Sequence, residues 1–126
     1  LTSSTYLGTA NKDGVFNVDL DNNGVYVYGL STGGTYPVTG GVYSNANSAQ
    51  FIHGLNLNLT TTIYSTTFGS GVNPNLSPTA FEVDTCGKIY AAGWGRCFDG
   101  GNNIGMPTTA GAFQTTTDNC EFYSRT

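Results

Sequence analysis

The stretch Phe16 to Gly29 reads FNVDLDNNGVYVYG, and its pattern decides what kind of protein this is. Phe16, Val18 and Leu20 alternate with Asn17, Asp19 and Asp21, the two-residue period of a strand with one wet face. Val25, Tyr26, Val27 and Tyr28 then run apolar on both faces, as in a strand sandwiched between layers. Between them Asp21, Asn22, Asn23 and Gly24 tolerate positive φ and close a hairpin. The same design returns later in the chain. FEVDTCGKIYAAG, Phe81 to Gly93, again reads Phe-x-Val-Asp, a turn, and an aliphatic-Tyr pair ending in Gly.

Three further stretches recur in the same order. STYLG at Ser4 to Gly8 answers STTFG at Ser65 to Gly69, and YPVTGGVYS at Tyr36 to Ser44 answers MPTTAGAFQ at Met106 to Gln114. QFIHGLN at Gln50 to Asn56 answers the shorter EFYSRT at Glu121 to Thr126. With the Phe-x-Val-Asp string and the aliphatic-Tyr pair counted separately, five ordered correspondences identify an internal repeat. Strands are expected over 14–20, 24–29, 50–57, 61–68, 79–85 and 88–94, with 61–68 antiparallel to 50–57. Apolar residues nowhere recur at helical spacing, so essentially no helix is expected. Four short antiparallel strands per unit imply an all-β chain built as blades of a β-propeller. The end of one blade falls in about 1–9, a complete blade in about 14–69, and most of a further blade in about 79–126. About two blades do not close a propeller, which needs about 4 to 8. A segment of a larger propeller is expected; the alternative is a ring assembled from several chains.

Composition sets the setting. Four Lys plus Arg against eight Asp plus Glu leave a net charge of -4, which offers no basic stripe to phosphates, so no nucleic-acid partner is expected. Charged residues make up 10% against a usual share of about 25%, and Gly, Ser, Thr and Asn abound, as in many extracellular β proteins. Aromatics at 13% separate the chain from disordered sequences. No apolar run approaches the roughly 20 residues that span a bilayer, so no membrane insertion is expected. There is also no basic stretch followed by an apolar one, so a secretion signal would lie outside these residues.

The ordered motifs resemble the bacterial SBBP β-propeller repeats. The likeness is strongest to those of large secreted Bacteroidetes proteins that end in gliding-motility-associated or type IX secretion sorting domains. GVYSNANSAQFIHGLN, STTFGSG, SPTAFEVD and IYAAGWG carry the resemblance over nearly the whole chain. Departures are Gly54, where that group usually carries Lys, and the inserted RCFDGGNN at Arg96 to Asn103. The resemblance implies a noncatalytic structural or binding module of a cell-surface or secreted protein, serving adhesion, filament assembly or gliding motility. Its partners would be neighbouring blades or domains of the same protein, with other surface proteins or glycans as further candidates. The competing class is a carbohydrate-binding or hydrolytic propeller with its site in the central funnel.

Candidate chemistry is sparse. DLDNNG at Asp19 to Gly24 meets the first six positions of a calcium loop, with Asp19, Asp21 and Asn23 as the converging oxygens. The twelfth position is Leu30 and the ninth Val27, neither an acid, and DTCGKI in the second unit lacks the second acid, so a plain hairpin turn is the preferred reading. His53, the sole histidine, lies mid-strand with no nucleophile or acid at motif spacing and is read as structural. The acid pairs Asp13 with Asp19 and Glu82 with Asp84 have the composition of a glycosidase pair, but alternation puts Glu82 and Asp84 together on a solvated strand face. Tyr26, Tyr28, Tyr90 and Trp94 recur at repeat positions, which favours packing between blades. Trp94, flanked by Gly93 and Gly95, is also the candidate for stacking on a sugar.

The cysteines follow from the strand order. Cys86 sits in the turn at one end of the second strand of its blade, whereas Cys97 and Cys120 bracket the connection at the other end. A strand of about seven residues rises roughly 23 Å at about 3.3 Å each, beyond the ~7 Å that a disulfide tolerates between Cα atoms. A Cys97–Cys120 disulfide is therefore expected, stapling that connection by about 3 kcal/mol in the chain-entropy treatment. Three reduced thiols are the alternative.

Overall fold

The protein is described from a computed structural model over residues 2–33, 35–71, 76–95, 104–117 and 122–126. Every regular element among them is a strand: β1 (Asp13–Leu20), β2 (Gly24–Ser31), β3 (Gln50–Asn56), β4 (Thr62–Phe68), β5 (Ser77–Val83), β6 (Ile89–Trp94) and β7 (Phe122–Arg125). β1 to β4 form one antiparallel sheet in chain order, and β5 to β7 form a second. The pairing of β3 with β4 is the one expected, and β7 takes beside β6 the place that β3 takes beside β2. Among the described residues no sheet closes on itself, and residues 2–9, which include STYLG, pair with no described strand.

Register corrects the sequence alignment of the two units. The hairpins end on Leu20 opposite Val25 and on Val83 opposite Ile89, and Tyr26 and Tyr90 face Asp19 and Glu82. Val18-Asp19-Leu20-Asp21 thus occupies the place of Phe81-Glu82-Val83-Asp84, two residues away from the match of the Phe-x-Val-Asp strings. β5 runs over 77–83 instead of 79–85, so Asp84 falls in the turn and does not share a strand face with Glu82. Bulges confirm the register, lying at Phe16 in β1 and at Thr79 in β5. At each bulge the facing strand carries Gly, because a Cβ on Gly29 or Gly93 would collide with the carbonyl of Gly14 or Ser77.

The two sheets pack face to face. Tyr28, Ile52 and Phe68 of the first sheet enclose the core with Leu76, Ala91 and Met106, and Tyr64, Phe81, Ile89 and Tyr123 pack against it. Tyr28 stands at its centre, with ring centroids 5.8 Å from Phe68 and from Phe81. Gly54 departs from a longer residue for a visible reason: its Cβ would lie 2.7 Å from the Tyr26 ring. The wet face expected on β1 is inverted, since Val18 and Leu20 are each 64% exposed while Asn17 and Asp19 are half-buried towards the second sheet.

The segment after β2 covers the opposite face and the free edge of β4. Tyr36 stacks on Phe51 at 4.0 Å and 13°. Thr39 N–H donates to Ser65 O at 2.9 Å, Asn45 N–H to Thr67 O at 3.0 Å, and Ser65 Oγ–H to Pro37 O at 2.6 Å. An edge that would otherwise offer unpaired backbone is thereby occupied. Its counterpart at Met106 to Gln114 repeats the conformation, with φ of 83° at Gly41 and 80° at Gly111, and Tyr123 O–H donates to Pro107 O at 2.6 Å.

Candidate functional site

The chemistry-bearing side chains divide among the junction of the two sheets, the two hairpin turns and the covered face of β3. At the junction, Asp19 reaches out of β1 and its Oδ2 accepts the main-chain N–H of Val83 at 2.7 Å, while Oδ1 accepts Leu20 N–H at 2.8 Å. Val83 belongs to β5, which has β6 as its one strand neighbour, so the carboxylate satisfies a donor on a sheet edge. A charged acceptor makes the stronger kind of hydrogen bond, and this one ties one sheet to the next.

Asp21 and Asp84 hold the turns. Asp21 Oδ1 accepts Asn23 N–H at 2.8 Å and Gly24 N–H at 2.9 Å, and Oδ2 accepts Asn23 Nδ2 at 3.0 Å. Asp84 Oδ1 accepts Cys86 N–H at 2.8 Å and Lys88 N–H at 2.9 Å, and its Oδ2 accepts Tyr90 O–H at 3.3 Å. For Asp21 the slight desolvation acts upward, but the donors of Asn23 and Gly24 outweigh it and hold the carboxyl below its ordinary pKa. For Asp84 the Lys88 amide is the leading cause of the same downward direction. Of the candidate calcium ligands, Asp19 is turned to the second sheet, while Asp21 and Asn23 meet within their own turn, where the Asn23 amide donates to Asp21. Among the described residues no group of three His, Cys, Asp or Glu is placed to hold a metal ion.

His53 is buried between two hydroxyls. Tyr36 Oη lies 3.0 Å from Nδ1 and Thr62 Oγ1 lies 2.7 Å from Nε2, so in either tautomer one ring nitrogen donates and the other accepts. Burial pushes its pKa down from 6.5, and burial also raises that of the Tyr36 hydroxyl. The contacts make His53 a fastening for the covering segment: both of these hydrogen-bond partners are hydroxyls, and neither is an acid that would orient the ring as a base.

The remaining sequence candidates are scattered. Asp13 accepts Thr9 N–H at 2.6 Å and Thr9 Oγ1–H at 3.0 Å, at the start of β1 and at the other end of that strand from Asp19. Glu82 is exposed on the outer face of the second sheet, which it shares with Tyr90, Ala92 and Trp94. Trp94 is 46% exposed and does not enter the core cluster. Cys86 is a free, exposed cysteine in its turn; Cys97 and Cys120, and with them the expected disulfide, lie outside the described residues. A cleft of about 270 Å³ opens between the sheets, where Tyr26, Tyr64 and Arg125 surround Ile52 and Ile89, and Arg125 also lies 4.5 Å above the Tyr43 ring. No described helix is long and apolar enough to cross a membrane.

The residue that sequence reasoning missed is Asp19 as the tie between sheets. Its signal was present in the alternation, which puts Asp19 on the face opposite Val18 and Leu20. Compared with protein families, curated proteins and solved structures, the chain has no match in any of the three.

Proposed function

We propose that the chain is a segment of a β-propeller that acts as a noncatalytic structural or binding module of a large bacterial cell-surface or secreted protein, of the SBBP type. In this reading the neighbouring blades are its first partners, and the exposed turns serve adhesion, filament assembly or gliding motility. The observation that carries it is the head-to-tail junction: two sheets of one register, bulge for bulge, joined by Asp19 Oδ2 on Val83 N–H. A repeat that joins itself in this manner is the building principle of blade arrays. The scatter of the titratable groups also favours a module without catalysis, since no described cleft gathers an acid, a base and a nucleophile.

A glycan array, together with a panel of glycosidase substrates, tests the reading against a sugar-directed propeller. The expected result is no turnover, and no sugar binding that Trp94→Ala removes. Specific binding lost in Trp94→Ala, or turnover lost in Glu82→Gln, would replace the structural reading with the carbohydrate one.

A further inference from the structure

The segment that covers β4 is anchored to its sheet by one ring. Between residues 35 and 47, Tyr36 is the only buried side chain; it lies on Phe51, and its ring meets that of His53 at 88° with centroids 5.8 Å apart. Further along, the segment is fastened by hydrogen bonds at the surface. Thr39 and Asn45 N–H donate to the carbonyls of Ser65 and Thr67, Asn45 Nδ2 donates to Gly69 O at 2.6 Å, and Thr67 Oγ1–H donates to Asn45 O at 3.3 Å. The tip stands clear of the sheet, since a Cβ on Gly40 or Gly41 would meet nothing within 4 Å.

The histidine under that ring has no ion to balance a charge. His53 is 4% exposed, with Tyr36 Oη at Nδ1 and Thr62 Oγ1 at Nε2. Among the described residues the elements around it supply no charged group: β2 sets Val27 beside it, β4 sets Ser65 and Thr62, and the covering segment sets Tyr36. Asp13, at the start of β1, acts on the Tyr36 hydroxyl, whereas burial acts on the imidazole and holds it below its ordinary 6.5. A neutral ring suits this place, donating from one nitrogen and accepting at the other. An imidazolium must donate from both, and its charge would be buried with no carboxylate against it, which is the costly arrangement. Water reaches the ring when Tyr36 leaves, because strands of the sheet flank it on both sides.

The second unit has no such arrangement. Met106 stands in place of Tyr36 and enters the core, and Arg125, beside Ala91, holds the register position that His53 holds beside Val27. A guanidinium keeps its charge throughout the range in which a histidine titrates.

We propose that residues 35–47 form an acid-released strap: protonation of His53 frees Tyr36 from its place on Phe51, and the segment lifts from β4 while the four-stranded sheet stays folded. Opening bares the Phe51 ring and the carbonyls of Ser65 and Thr67, which turns a covered edge into one that can pair. Every part of the strap belongs to the first unit, so it operates whether or not the chain is a propeller segment. A ring that takes its proton only with the strap off, at an ordinary value of 6.5, makes opening up to about thirtyfold more frequent at pH 5 than at pH 7.5.

Amide exchange of the 126-residue chain at pH 7.5 and pH 5, scaled at each pH to the rate of the free chain, tests this. Protection of the Thr39 and Asn45 amides should fall by up to about thirtyfold on acidification. The β2 amides, paired on both sides, should stay at least about tenfold better protected than these two at both pH values, as a local opening requires. In His53→Gln the strap amides should change by less than about threefold between the two pH values, because the chain then has no group with an ordinary pKa near 6.5. Tyr36→Ala should leave Thr39 and Asn45 poorly protected at both, and the His53 ring signals, which titrate below 6.5 in the wild type, should titrate close to it in this variant. Circular dichroism verifies that each variant is folded, and the wild-type comparison of strap with β2 needs no variant. Four outcomes would each overturn the proposal: equal strap protection at the two pH values, a fall that His53→Gln retains, strap and β2 amides exchanging together, or a His53 titration that Tyr36→Ala leaves unmoved.

Discussion

β1 and β5 are the same strand in two situations. Both carry an apolar, acidic, apolar, Asp run into a hairpin, both bulge at the same place, and both face a strand with Gly opposite the bulge. Yet Phe81 and Val83 face the core while Val18 and Leu20 face outward, and Asp19 makes a bond between sheets while Glu82 stands in the open. The difference lies in whether a neighbouring sheet is present. A strand's alternation states which residues share a face; only the neighbour decides which face is inside.

The comparison breaks first at the ring that the covered strand leans on. Tyr28→Ala should cost about 3 to 5 kcal/mol, as large aromatic deletions in cores do, measured by urea unfolding. Tyr28→Phe, which keeps the ring, should stay within about 1 kcal/mol of wild type. If Ala and Phe behaved alike, the ring would not be what holds the sheets together. Next comes the matched pair itself. Phe81→Ala should lose roughly 2 kcal/mol, and Val18→Ala, at the same register position, no more than about 0.5 kcal/mol in monomeric protein. Equal losses would mean that the two faces are equally covered.

How much of this was legible in the sequence varies from element to element for physical reasons. The hairpins were readable because Asp, Asn and Gly mark turns locally, although the first turn is held by the Asp21 carboxylate and uses none of the positive φ that Asp21 to Gly24 tolerate. The second unit could be located by its aliphatic-Tyr pair and its Gly. The register between the units was not, because Phe-x-Val-Asp matches by letter at Phe16 and Phe81 whereas the bulges set the hydrogen bonding two residues away. Pro37 with Gly41, and Pro107 with Gly111, marked the connecting segments as equivalent. That the first of them runs along β4 and closes its edge depends on Tyr36 finding Phe51 and His53, a tertiary event with no local signature. The face of β1 was assigned backwards because an exposed apolar row looks, in sequence, like a buried one.

The acids offer a finer comparison. Asp19→Ala should destabilise by about 1 to 2 kcal/mol, since it strips a charged acceptor from a donor at the sheet junction. Glu82→Ala should remain within about 0.5 kcal/mol in the monomer. Thermal melts of both resolve the difference, and an equal response would separate Asp19 from the junction. The smallest effect is one of pH. Because the folded state lowers the pKa of His53, the unfolded chain binds its proton first, so this contribution is whole above about pH 6.5 and is lost as pH falls below it. The melting temperature should therefore drop on acidification through that range, and His53→Gln should flatten the drop. A wild-type profile as flat as that of the variant would show that the Tyr36 to Thr62 fastening is insensitive to charge.

The turn that Asp21 holds also bears on how the protein ages. Asn23 followed by Gly24 is the pair of residues most prone to lose ammonia, because the nitrogen of the following glycine attacks the side-chain amide to form a cyclic imide. Here that nitrogen donates to Asp21 Oδ1, and the amide that would be attacked donates to Asp21 Oδ2. Both reacting groups are held by one carboxylate. The folded hairpin is consequently a slow clock at a position that would run fast in the unfolded chain, and the accumulation of aspartate and isoaspartate at residue 23 records how much of its life a molecule has spent with this turn open.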